Sequence, residues 1–314
     1  MTSQLQVINH LYKSIDTDPE SLKNPDVAHL VINHNQVLGM NSVPGLHIDV
    51  NQIENGVDVK LRLDDNAVIA KPVHLCFGMY AEIGIQKIVM DIEIGKHSKI
   101  ALQAHCVFPI AVDVQHIMDA KIKINEGADY SYFEKHVHSD KGGVKVYPKA
   151  IVNVEQGASF KTEFELVKGR VGLIDIDYET TCEADSTLEM TARVSGRDDD
   201  LIKIREVGHL RGEHARGALT SKIAVRDNAR AEVYNKLTAS AAYARGHVDC
   251  KEIIQDNGIA TAIPIVEVNH PKAHITHEAA IGSVDNKQLE TLMSRGLSED
   301  AAVELIIGGM LSRR

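Results

Sequence analysis

Ile122-Lys123-Ile124-Asn125-Glu126-Gly127-Ala128 and Ile151-Val152-Asn153-Val154-Glu155-Gln156-Gly157-Ala158 share one pattern: alternating apolar residues, a tight polar turn, then a small residue where alternation resumes. Alternation with a period of two marks a strand with one buried face, and Asn, Asp or Gly at its end marks a turn. The pattern returns at 61–67, 92–98, 182–186, 223–229 and 253–258. The last residue of each instance falls at 67, 98, 128, 158, 186, 229 and 258, with steps of 31, 30, 30, 28, 43 and 29. A fixed period of this size means supersecondary units that bury their apolar faces only by stacking on one another. Strands and turns fill the period, so a mainly β protein is expected, a parallel β-helix of about seven coils. At a strand spacing of about 4.8 Å the stack is roughly 30 Å tall. The step of 43 contains Ser195-Gly196-Arg197-Asp198-Asp199-Asp200, which reads as a loop bulging from one coil. No six-residue period of aliphatic positions is present, which disfavours a left-handed hexapeptide helix; a β-sandwich of short hairpins is the competing arrangement.

The two ends read differently. Leu5, Ile8, Leu11, Tyr12 and Ile15 follow helical spacing, and residues 26–33, after Pro25, suit a second short helix. Residues 1–45 are therefore expected as an N-terminal helical region and 46–284 as the β-helix core. Solenoids need such caps because their terminal coils expose apolar surface and unpaired edges. Residues 285–314 read as a helical hairpin. Asp285 caps a first helix carrying Gln288, Leu289, Leu292 and Met293, and Gly296 stops it. Ser298 caps a second, whose Glu299 and Asp300 suit the positive end of the helix dipole. Its stripe of Val303, Ile306, Ile307 and Met310 must be buried on the last coil or on a partner.

Composition narrows the function. With 314 residues and 44 % hydrophobic content the chain can bury a sizeable core without disulfides or metal. Its formal charge is -10 and it has no basic cluster, which argues against a nucleic-acid partner. The N-terminus lacks the basic-then-apolar pattern of an export signal and no run of 18 apolar residues occurs, so a cytoplasmic location and no membrane partner are expected. Cys76, Cys106, Cys182 and Cys250 are too few for a disulfide scaffold and include no CxxC pair. No GxxxxGK[ST] loop is present to hold a nucleotide.

The stretch 269–282, Asn-His-Pro-Lys-Ala-His-Ile-Thr-His-Glu-Ala-Ala-Ile-Gly, leads through Asp285, Gln288 and Leu289 to Ser294-Arg295-Gly296-Leu297-Ser298. This closely resembles the C-terminal signature of the SufB/SufD family of iron–sulfur cluster assembly, and the likeness extends back to about residue 122. The resemblance implies a right-handed parallel β-helix between helical ends, acting as a scaffold, not an enzyme. Such scaffolds assemble a cluster, with [4Fe–4S] the expected form, and hand it to apo-proteins. The C-terminal helices are expected to dock the ABC ATPase SufC, with Arg295, Gly296 and Leu297 at their joint, and Val303, Ile306, Ile307 and Met310 facing it. ATP would be bound only by that partner. The chain is shorter than the usual SufB or SufD and resembles a single-subunit form, expected to pair with itself as a homodimer carrying two SufC.

The likeness also suggests ligands. His277 and Glu278 match positions where family members contribute candidate ligands at their interface, Cys250 matches a cysteine of SufB-like chains, and Glu267 is a secondary candidate. Gly258 stands where SufB carries a sulfur-accepting cysteine. Cys76 and Cys106 are separated by one full repeat, and are expected on neighbouring coils and one face, fit to share a cluster. Their other reading is as small hydrophobes filling the interior. The rival functions are a cluster-free adaptor for SufC and a polysaccharide-active β-helix enzyme; zero Trp argues against the second.

Overall fold

In each repeated turn one residue has left-handed backbone, and that position recurs coil after coil. Asn66, His97, Gly127, Gly157, Asp185, His214 and Tyr243 have φ between 53° and 67°, a region that Gly, Asn and Asp enter at least cost. The amides of the first six donate to a carbonyl one coil on, from Asn66 to Lys96 (2.8 Å) through to His214 to Ala242 (3.1 Å). The hydrogen-bond ladder therefore runs through the corner instead of stopping at it.

The computed structural model describes Leu11 and residues 24–313. Its strands are β1 (His29–Asn33), β2 (Gln36–Asn41), β3 (Leu46–Ile53), β4 (Gly56–Leu63), β5 (Val73–Gly78), β6 (Ile83–Ile94), β7 (Lys99–Phe108), β8 (Asp113–Ile124), β9 (Asp129–His138), β10 (Val144–Val154), β11 (Ser159–Leu166), β12 (Leu173–Cys182), β13 (Thr187–Gly196), β14 (Leu201–Leu210), β15 (Arg216–Val225), β16 (Arg230–Ala239), β17 (Arg245–Ile254), β18 (Ile259–Val268) and β19 (His274–Gly282). Odd strands from β5 to β19 pair in parallel in one sheet, and even strands from β4 to β18 in the other. One strand from each sheet makes a coil, and from β4–β5 to β18–β19 there are eight. Ile, Val, Leu and Phe fill the space between the sheets, with Tyr130 and Phe160 stacked at 5.6 Å between centroids.

Eight coils replace the expected seven because the sequence markers come from two corners. Ala215 and Ala244 continue the first series at steps of 29, each just after a left-handed residue. Ala229 and Gly258 lie at the opposite corner, half a coil further on, where Asp198, Asp227 and Asp256 are the left-handed positions, with φ from 49° to 54°. The stretch 195–200 is thus an ordinary corner of the solenoid. Asp200 holds it together from a fully buried position: its carboxylate accepts from the amides of Val171 (3.0 Å), Gly172 (2.9 Å) and Arg197 (2.9 Å) and from Arg170 Nε (2.9 Å).

The N-terminal side also differs from expectation. Residues 26–33 are not a helix: β1 occupies most of the segment, pairs antiparallel with β2, and joins the first sheet beside β5. Leu30 and Ile32 alternate inward along it, a strand period that a short apolar run hides. The hairpin β3–β4 begins the second sheet in the same way. The proposed helix around residues 5–15 lies outside the described residues except for Leu11, which is fully buried against Val31, Cys76 and Val107. At the C-terminus two helices follow as expected, α1 (Asn286–Met293) and α2 (Glu299–Leu311). Asp285 and Ser298 accept from the amides of Gln288 and Ala301 as their N-caps.

Replacing Asp200 with Ala orphans three amides, that of Val171 buried and those of Gly172 and Arg197 partly so. Urea denaturation should show a loss of about 3 kcal/mol or more, with Asp200→Asn losing less; an unchanged midpoint would show that the carboxylate does not organise the corner.

Candidate functional site

The pairing of β5 with β7 decides what the first two cysteines can do. Cys76 lies opposite His105, and Cys106 opposite Phe77, so the two cysteines are offset by a single position in the register. Successive residues of a strand point to opposite faces, and a one-residue offset therefore separates the two thiols. Cys106 faces the interior with Phe108 and Ala104, whereas Cys76 faces outward under Leu11. The expected shared face is overturned, and Cys76 cannot join Cys106 as a ligand. Cys182 is plain core.

What Cys106 does face comes from β9. Along this strand the inward positions are Tyr130, Tyr132, Glu134, His136 and His138, while Phe133 and Val137 point out. The polarity of the strand's second half is inverted, and three ionisable side chains are buried there. Cys106 is the register partner of His136. Cys106 Sγ lies 3.7 Å from Glu134 Oε1, and Glu134 Oε1 lies 2.7 Å from His136 Nε2. Cys106, Glu134 and His136 form the one group among the described residues in which three such donor atoms lie within 4.8 Å of one another.

Hydrogen bonds beyond the group determine where its protons sit. His138 Nδ1 is 2.9 Å from the Arg170 carbonyl, which can only accept, so His138 donates there and keeps a lone pair on Nε2. His136 Nδ1, 3.2 Å away, must donate to that lone pair. His136 Nε2 is then also a lone pair, turned on Glu134. Burial pushes both imidazoles down to about 3, so neither is charged. Burial raises the Glu134 carboxyl, and with His136 Nε2 a lone pair the 2.7 Å contact between them needs a proton on Glu134 Oε1. The Cys106 thiol is likewise driven well up by burial and then by Glu134. Beside the triad both nitrogens of the fully buried His116 are unsatisfied, its ring centroid 5.9 Å from that of His136, while the Tyr132 and Tyr178 hydroxyls lie around the Glu134 carboxyl.

A second group of candidates lies at the far end. β18 and β19 are the last strands of their sheets, and no strand among the described residues pairs with their outer edges. His277 is opposite Val248 and Glu278 opposite Asp249, so His277 continues an interior column and Glu278 an outer one. With no further coil above them, both are exposed. Cys250 lies one coil below, fully buried, with its Sγ 3.7 Å from the Asn235 amide nitrogen. Glu267 is tied to Lys236 Nζ (2.9 Å) and Thr238 Oγ1 (3.1 Å), which hold its carboxyl below the usual range. Within one chain Cys250, His277 and Glu278 do not converge on a point. Gly258 lies at a corner where an added Cβ would approach Val225 O to 2.7 Å, so a side chain needs the backbone to shift.

Residues 84–310, from β6 to α2, match the family described as SUF system FeS cluster assembly, SufBD core domain. The chain belongs to the SufBD family of iron–sulfur cluster assembly proteins. It is 35 % identical over 308 residues to an iron–sulfur cluster assembly SufBD family protein of Methanocaldococcus jannaschii, covering 98 % of each chain. A SufBD family protein of Pyrococcus horikoshii is also 35 % identical, over 98 % of this chain and 94 % of its own. The iron–sulfur cluster assembly protein SufB of Bacillus subtilis is 38 % identical over 69 residues, 22 % of this chain and 15 % of its own.

In this SufBD protein α2 packs on its own solenoid, whereas α1 has no buried residue. Ile307 and Leu311 are buried against Ala224 and Val284, and Val303, Ile306 and Met310 pack around them. The guanidinium of Arg226 grips the Glu304 carboxylate, and Arg313 reaches back to Glu163 (3.2 Å) and covers the Phe133 ring at 4.3 Å. The apolar stripe, Ile307 above all, is therefore covered by the outer face of β15 and β17, not by the last coil. Arg295 and Gly296 at the joint remain exposed, as does Leu305 on the free side of α2, at 55 %. No helix among the described residues is long and apolar enough to cross a membrane.

The interior polarity found on β9 has a counterpart on β14, where Glu206 is buried with Oε2 unpartnered and its carboxyl pushed up to about 8. The folded protein keeps this proton up to about pH 8, whereas the unfolded chain releases it near 4.5. Between those values the native state binds more protons, so stability falls as pH rises. Glu206→Gln should remove about 1 kcal/mol per pH unit of this slope between pH 5 and 8; equal slopes for both proteins in urea titrations would refute it.

Proposed function

We propose that this SufBD protein is a cytoplasmic, non-enzymatic scaffold on which an iron–sulfur cluster is assembled and from which it passes to apo-proteins. The observation that carries the reading is the open last coil. Among the described residues no strand pairs with the outer edges of β18 and β19, where Ile263 is 36 % and Ile281 46 % exposed, and soluble proteins cover such edges. A second copy related by a two-fold axis supplies the cover and brings a second His277 and Glu278 to the same seam. Cys250, His277 and Glu278 from both copies then provide thiolate, imidazole and carboxylate ligands, a set that suits [4Fe–4S] better than a lone subunit does. The cluster is cargo. An ABC ATPase of the SufC type docks at the joint of α1 and α2, through Arg295, Gly296, Leu297 and the exposed Leu305, and brings the ATP site.

The full burial of Cys250, and a thiol raised by that burial, favours a second reading in which the chain is a cluster-free adaptor for the ATPase. Anaerobic reconstitution with iron and sulfide separates the two. The scaffold should gain a broad visible thiolate-to-iron absorbance, and Cys250→Ser or His277→Ala should lower cluster content on the order of ten-fold or more. A dimer by light scattering that never acquires the absorbance would establish the adaptor. For the docking surface, Leu305→Asp should weaken co-purification of the ATPase on the order of ten-fold without changing the thermal midpoint; undiminished capture would place the contact elsewhere.

A further inference from the structure

We propose that Cys106, Glu134 and His136, completed by His116, bind a single divalent transition-metal ion, Zn²⁺ or Fe²⁺, inside the solenoid. This site stands apart from the seam at β18 and β19 and does not depend on cluster assembly. The donor types are thiolate, carboxylate and imidazole, the set that structural and catalytic sites for these ions draw on. The spacing fits one ion: bonds of about 2.3 Å to sulfur and about 2.1 Å to oxygen at a tetrahedral angle put the two atoms about 3.6 Å apart, and Cys106 Sγ and Glu134 Oε1 are 3.7 Å apart. The Glu134–His136 distance of 2.7 Å is that of a shared proton, and it opens by less than about 1 Å when an ion takes the proton's place. A cluster does not fit the same place. It needs several thiolates, and the nearest other cysteine on this sheet, Cys76, faces the opposite side.

Two further observations point to a ligand. His116 crosses from the other sheet with both ring nitrogens unpartnered and the side chain fully buried. Native proteins rarely leave such groups unsatisfied. The relay from His136 through His138 to the Arg170 carbonyl is the outer arrangement typical of a metal-bound imidazole: it commits Nδ1 as a donor and leaves Nε2 free to bind. The charge balance is also complete. The ion displaces two protons to solvent, the one on the Cys106 thiol and the one shared between Glu134 and His136. The loaded site is a dication with two anionic ligands, so the interior holds no net charge in either state.

The test uses the full chain, unfolded in urea with a chelator, then refolded with one equivalent of Co²⁺ or of Zn²⁺ and no sulfide. The Co²⁺ protein should show tetrahedral d–d bands and a thiolate-to-cobalt charge-transfer band. Cys106→Ser should abolish the charge-transfer band and weaken Zn²⁺ binding on the order of 100-fold, while Cys76→Ser and Cys250→Ser keep both. A wild-type protein without the charge-transfer band, or a band that survives in Cys106→Ser, overturns the proposal. Should Cys106→Ser fail to refold, X-ray absorption on the Zn²⁺ wild-type protein decides: one sulfur with nitrogen and oxygen ligands upholds the site, and no sulfur or more than one overturns it. Since neither sulfide nor ATPase is present, a failure here leaves the scaffold reading unaffected.

Discussion

The structure depends on each coil laying its backbone in register on the one before, corners included. Parallel pairing alone would leave two-strand layers with frayed ends. At one corner the left-handed residues from Asn66 to His214 turn an amide to a carbonyl of the next coil, so the ladder closes around that edge. Coil length is then held nearly constant, since an extra residue in a strand would invert the faces of everything after it. Tyr243, an unusual residue for left-handed backbone, is accepted at such a corner where its ring stacks on His214 at 4.9 Å and lies under Lys272.

Strict register also explains how the interior comes to hold polar side chains. Once a column faces inward, every residue in it is buried, whatever its chemistry. Phe77, Cys106 and His136 follow one another in such a column, and Ala104 and Glu134 do so in the next. Burying these groups is tolerated because they are neutral and bonded to each other, not because they are paired ions. The ends of the stack are handled differently. Antiparallel hairpins begin both sheets, α2 lies along the outer face of the first, and the last coil carries its interior columns into the open.

Much of this is legible in the chain. Apolar alternation broken by Asn, Asp and Gly announces a solenoid, and the caps Asp285 and Ser298 announce the two C-terminal helices. The departures share a cause. The step of 43 and the missing eighth coil arise because two chemically similar corners look like one series. Residues 26–33 suggest a helix because a five-residue apolar strand has too few positions to separate the two periods. The pairing of Cys76 with Cys106 rests on a mean repeat, whereas side-chain direction depends on a single residue. The triad escapes a motif search although its signal is present: counting by twos from Ala128 places Tyr130, Tyr132, Glu134, His136 and His138 on the core side.

By itself the sequence determined the strand–turn period, the family and the helical hairpin, because these rest on local propensity and on residues adjacent in the chain. Tertiary structure alone decided which side chains meet. Cys106 reaches Glu134 and His136 from the neighbouring coil, and His116 reaches them from the facing sheet. Those contacts are set by inter-coil register and by the separation of two sheets, quantities that no stretch of chain carries on its own.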